Sequence, residues 1–144
     1  MVLDMRIEHE IHIGAEPAEV FAVLSDPDRL SEWQPTTVAV RRQRQGPLSV
    51  GERFEEVHKG LGRELTSTVE VVTCDAPRLF ALHLVSAAVP LDGRWELELT
   101  RSGTRLRFVG EGDVRGVLRL AKPALARQFR AYHKRLKSLV EGGG

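Results

Sequence analysis

Cysteine is nearly absent from this 144-residue chain. Cys74 stands alone, which excludes an intrachain disulfide and a cysteine-built metal cluster. Its plain reading is a packed thiol at a strand end. Long apolar runs are also missing. Nothing approaches the ~20 residues that span a bilayer, and Met1–Arg6 lacks the apolar stretch of a secretory leader. The expected setting is cytoplasmic, with no stable membrane insertion. There is no HExxH pattern, no Gly-rich phosphate loop and no nucleophile elbow. Gly60-Leu61-Gly62 reads as a strand turn. His9 and His12 fall on opposite faces of a strand and cannot share an ion. Neither a metal nor a cofactor is expected.

What is present is ordinary for one globular domain: 42% hydrophobic and 28% charged residues, around a single core. The net charge of +1 hides an asymmetry. Residues 1–32 carry eight acids and two bases, and residues 115–141 carry eight bases and one acid. A basic amphipathic segment can mark a membrane surface or a nucleic acid. The segment lacks interleaved aromatics, and no nucleic-acid motif occurs elsewhere. These bases are read as the solvated face of a core helix, and no nucleic-acid partner is expected.

The stretch Arg115–Glu141 has apolar residues Leu118, Ala121, Leu125, Phe129, Tyr132, Leu136, Leu139 and Val140. Their steps of mostly three and four trace one helical stripe, on a helix roughly 39 Å long. Pro123 removes a backbone donor, so a break is expected near Lys122. Gly142–Gly144 end the helix as a flexible tail.

The remainder reads mostly as strand. Arg6–Ile13 alternates with Ile7, His9, Ile11 and Ile13 on one face. Two short helices follow. Pro17 starts one; Asp26 caps the second, which presents Leu30 and Trp33. Six more strands are expected: Thr36–Arg44 with Val38 and Val40, Val50–Lys59, Leu65–Thr73, Leu79–Ser86, Arg94–Thr100 and Thr104–Gly112. Trp95, Leu97 and Leu99 point inward on the sixth strand. Short turns between neighbours imply an antiparallel sheet. The class is α+β in one domain, residues 1–144: a curved seven-stranded sheet gripping the long C-terminal helix.

The run Ile11–Trp33, IHIGAEPAEVFAVLSDPDRLSEW, resembles the opening of the START-like, Bet v 1-like (SRPBCC) superfamily, and most closely its bacterial polyketide cyclase/dehydrase-type branch. Val50-Gly51, Val69-Glu70-Val71 before Asp75-Ala76-Pro77, Gly103-Thr104 and the helix Phe129–Glu141 follow in the matching order. The resemblance covers nearly the whole chain. It implies a helix-grip fold with an apolar cavity between sheet and helix. The same fold hosts lipid carriers, aromatases and cyclases, and chaperone activators.

Face assignments give the expected ligand-binding lining. Strand residues contribute His9, Phe54, Ser67, Val69, Phe80, Leu82, Trp95, Leu97 and Phe108. Phe129 and Tyr132 come from the helix, with Trp33 near the mouth. Such a lining suits a small hydrophobic molecule: aromatic, polyketide-like or lipid-like. Glu56 and His58 share a strand face roughly 7 Å apart. With Tyr132 they are the candidate catalytic residues for cyclase or dehydratase chemistry. The plain alternative places Glu56 and His58 toward water and makes His9 a hydrogen-bonded core residue. His12, His83 and His133 are expected outside. Three functions stay open: a hydrophobic-ligand carrier, an acid/base enzyme, and an interaction module of the chaperone-activator type. The protein is expected as a monomer or homodimer.

Overall fold

The computed structural model describes residues 5–60 and 62–142. Met1–Asp4, the turn residue Leu61, and Gly143 and Gly144 of the expected tail lie outside the described residues. The chain runs β1 (Met5–Ile13), α1 (Pro17–Leu24), a 3-10 turn (Pro27–Arg29), α2 (Leu30–Trp33), β2 (Thr37–Arg41), β3 (Arg53–Gly60), β4 (Arg63–Asp75), β5 (Leu79–Ser86), β6 (Asp92–Thr100), β7 (Gly103–Gly112), a 3-10 segment (Gly116–Ala121) and α3 (Lys122–Glu141). All seven strands join one antiparallel sheet in the order β1-β7-β6-β5-β4-β3-β2. This is the expected helix-grip architecture.

Neighbours from β2 to β7 are also neighbours in sequence. The exception is β1, which pairs with β7 from Met5↔Gly112 to Ile13↔Thr104. The β6–β7 loop is only Arg101 and Ser102, because Thr100 pairs with Gly103. Gly103 has φ +142°, and a Cβ there would lie 2.2 Å from the Ile13 carbonyl oxygen. Only glycine lets the hairpin press against the end of β1.

Alternation sorts the sheet's two faces. On β1, Met5, Ile7 and Ile13 are buried while Arg6, Glu8, Glu10 and His12 are exposed. The convex face of β1, β7 and β6 is a lattice of opposite charges. Glu8 bonds both Arg6 and Arg107; Arg107 and Arg94 reach Glu96; Arg6 also pairs with Glu111. Each exposed pair contributes at most about 1 kcal/mol. Their larger consequence is a polar outer face.

Two positions depart from the expected burial. A register shift between Thr37 and Ala39 bulges β2 at Val38, so Thr37 is buried and Val38 is 49% exposed. The extra residue turns Val38 outward. Leu99, expected inward, is 69% exposed. Pairing of β5 with β6 stops at Leu79↔Glu96, so the end of β6 overhangs its neighbour and Leu99 has nothing to pack on.

The C-terminal segment breaks where Pro123 requires. Six residues form the 3-10 segment, and α3 starts at Lys122 with proline in its first turn. α3 packs chiefly on β1, α2 and α1. Its far end is pinned: Glu141 accepts from the Gly14 amide at 2.6 Å, and the Lys137 Nζ donates to the His12 carbonyl at 2.9 Å. Thr104 ties the same end by donating to the Ala15 carbonyl at 2.7 Å. α1 and α2 thus sit where α3 ends. The start of α3 stands at the opposite end of the sheet, with the β3–β4 turn, the β5–β6 loop and the end of β7.

Candidate functional site

The interior divides into a filled half and a looser half. The filled half lies over β1, β7 and β6. Trp95 rests on glycine: a Cβ at Gly93 would come within 2.8 Å of its ring. The Trp95 and Phe108 centroids are 5.2 Å apart, Phe80 and Trp95 5.8 Å, Phe108 and Phe129 4.7 Å, and Trp33 stands edge-on to Trp95 at 6.4 Å. His9 is tilted against Phe108 at 5.6 Å. Six residues expected along the ligand-binding lining therefore touch one another ring to ring. Leu97 and Val69 are buried in the same core.

His133 stands at the centre of this cluster and is fully buried, contrary to its expected outside position. It lies on the stripe Phe129, His133, Leu136, Val140, whose spacing is helical. Its polar type argued for solvent; its position decided otherwise. The Trp95 indole N–H donates to His133 Nε2 at 2.9 Å, and His133 Nδ1 lies 2.7 Å from His9 Nε2. An indole nitrogen only donates. His133 must then carry its proton on Nδ1 and give it to His9 Nε2, which leaves the His9 proton on Nδ1. That atom is buried without a partner. Burial, with a smaller contribution from His9, pushes the His133 pKa down to about 3. Burial, then the Arg130 charge, lowers that of His9.

The looser half faces β2 to β5. Phe54, Glu56 and His58 share the inward face of β3, as their spacing required. Phe54 is buried; Glu56 and His58 are half-buried. Glu56 accepts from the Thr37 hydroxyl at 2.8 Å and sits opposite Val40 and the buried Ser67 in register. The Tyr132 hydroxyl bonds Thr36. Burial raises the Tyr132 pKa; the Thr36 bond opposes this, and the Glu56 charge adds to it. The phenol therefore stays protonated, available to donate or accept. His58 Nδ1 is buried and unpartnered. Thr36 and Thr37 were not singled out by spacing, since only the β2 bulge turns Thr37 inward.

A gap of about 30 Å³ opens beside this cluster, bounded by Trp33, Leu48, Phe54, Glu56, Leu82 and Trp95 among others. That is the room one or two waters need. Trp33 Nε1, a further buried donor without a partner, lies on a residue of its wall. Leu82 borders the gap; it and Val40, Leu84, Leu125, Ala126 and Phe129 pack on the core yet remain half-exposed.

A family profile described as polyketide cyclase / dehydrase and lipid transport matches residues 4–141. No curated protein matches the sequence. Among solved structures, TTHA0849 of Thermus thermophilus superposes with a TM-score of 0.79 at 14% identity, covering 97% of this chain and 99% of its own. NE0264 of Nitrosomonas europaea gives 0.77 at 17%, covering 98% and 97%. DynU16, from the dynemicin biosynthetic locus, gives 0.73 at 16%, covering 96% of this chain and 48% of its own. At these identities the likeness establishes the fold.

Proposed function

The chain belongs to the polyketide cyclase / dehydrase and lipid transport family, and on that premise we propose that it binds one small hydrophobic molecule between the inward face of β3–β5 and the first half of α3. One observation carries the reading. Apolar side chains of β2, β5 and early α3 pack on the core yet stay half-exposed, while a carboxylate and an imidazole share the inward face of β3 and the Tyr132 phenol lies close enough to feel the Glu56 charge. An apolar wall with a few oriented polar groups is what such a site requires. Glu56, His58 and Tyr132 would orient the ligand's polar end. Leu82, Phe54 and Phe129 would hold its body. The 30 Å³ gap is too small for such a ligand, so binding requires early α3 to move away from the sheet. We place the protein in the cytoplasm, as a monomer or homodimer.

Titration with the fluorescent probe anilinonaphthalene sulfonate tests this. The wild type should show one saturable site. Ala126→Trp, which fills the space from the helix side, should weaken it at least about tenfold without lowering the thermal midpoint. Unchanged binding in that variant would rule the location out.

An acid/base reading, ring closure or dehydration of a polyketide-like substrate, rests on the unpartnered His58 Nδ1 beside Glu56. Here Glu56→Ala and His58→Ala should abolish turnover while leaving substrate bound. Loss of binding alone would leave the carrier reading.

A further inference from the structure

The 3-10 segment Gly116–Ala121 buries none of its residues. In a 3-10 helix, residues three apart eclipse one another, so this segment sorts into three rows. Leu118 and Ala121 are half-buried toward the core. Val117 and Leu120 form the second row, and each is 81% exposed. Arg119 and Lys122 form the third, and both are exposed. A two-residue apolar ridge thus runs beside a row of bases. The ridge is expensive to leave in water, and among the described residues none covers it.

Its place in the fold gives the ridge a use. Strand register puts the end of β7, the β5–β6 loop and the β3–β4 turn at one end of the sheet. The segment leads from β7 into α3 at this end, away from α1 and α2. The charges gathered here are mainly positive: Arg119, Lys122, Lys59 and Arg63 are exposed. Among the described residues, the acids at this end are Glu64, which is exposed, and Asp113, Glu111 and Asp92, which bond Arg115, Arg6 and His83. Apolar side chains flanked by bases match an interface of acyl chains beneath anionic headgroups.

We propose that Val117 and Leu120, with Arg119 and Lys122, form a lip that docks this end of the protein on an anionic lipid bilayer. Docking brings the first turns of α3 to the membrane. Those are the turns that must move for a ligand to enter, so the lip is where a hydrophobic ligand would be exchanged. That second step rests on the ligand-binding reading; the docking itself does not.

Flotation with vesicles tests the proposal, using phosphatidylcholine alone and an equal mixture with phosphatidylserine. The full chain should float with the mixture and not with phosphatidylcholine alone, and added salt should release it. Val117→Asp/Leu120→Asp and, separately, Arg119→Glu/Lys122→Glu should each reduce flotation at least about tenfold. Both should keep the wild-type circular dichroism and thermal midpoint. Probe titration without vesicles is run in parallel. Flotation without probe binding would sink the ligand reading and leave the lip intact. Equal flotation of wild type and both variants would overturn the lip. So would sedimentation showing that Val117→Asp/Leu120→Asp merely converts a dimer to a monomer, since the ridge would then belong to a second copy.

Discussion

His133→Leu is expected to be the most damaging single change in the core. Leucine fits the helical stripe but accepts no hydrogen bond. The buried Trp95 indole N–H and Nε2 of the half-buried His9 would both lose their partner. A buried orphan costs about 1–3 kcal/mol, so two amount to roughly 2–6 kcal/mol, a large part of a domain's usual stability. Urea unfolding at pH 7 measures it. His133→Gln, which keeps an acceptor, should lose less.

The same chain makes the protein acid-sensitive in a defined direction. Folded His133 takes up no second proton until about pH 3, whereas its ordinary value is 6.5. Between those values the unfolded chain binds a proton that the folded chain refuses. Stability is therefore greatest above pH 6.5 and falls as pH falls. The slope is about 1.4 kcal/mol per pH unit for one proton, and His9, also depressed, adds to it. The geometry supplies the reason. A proton on His9 Nε2 would meet the His133 N–H, and moving that one to Nε2 would meet the indole N–H. Unfolding between pH 6.5 and about 5 isolates this, since carboxylates titrate lower. The wild-type slope should shrink in His133→Leu. A flat wild-type profile would mean that the pair takes up its proton in place.

Glu52→Ala is expected to cost about 3–5 kcal/mol, the usual result of stripping one member from a buried ion pair. The Arg42 and Glu52 side chains are only 7% and 5% exposed and bond at 2.8 Å and 3.1 Å. Arg42 also donates to the Gly46 carbonyl at 2.7 Å, and Glu52 accepts from the Ser49 amide at 3.3 Å. These bonds fold the β2–β3 loop and hold buried Leu48 against the gap. Glu52→Ala should therefore also speed probe entry in stopped-flow mixing. Replacing both partners, Arg42→Met with Glu52→Leu, should recover much of the stability.

Local chemistry made much of this legible in the sequence. Pro123 marked the helix break. Period-two alternation put Phe54, Glu56 and His58 on one face, and the apolar steps of α3 found its buried side. The misses share a cause: they depend on contacts distant in sequence. β1 pairs with β7 across about a hundred residues, and no turn announces that. Leu99 obeys its alternation, yet β5 ends too soon to cover it. Val38 and Thr37 exchange places at a bulge. His133 was hidden by its type; the buried Trp95 N–H, which needs an acceptor, was the signal that could have found it. The expected lining was drawn from faces alone. Faces do not reveal that Trp95, Phe108, Phe129 and Trp33 fill one half of the interior and leave only the β2–β5 side open. The charge lattice on the convex face, in turn, disfavours an interaction module that docks through that surface.

Native mass spectrometry of the protein purified from its own host, followed by denaturing extraction, tests the central claim most directly. The account predicts a complex carrying one small organic molecule, released on denaturation and missing from Ala126→Trp. A wild-type protein at its bare mass, with no saturable site for the fluorescent probe, would contradict it.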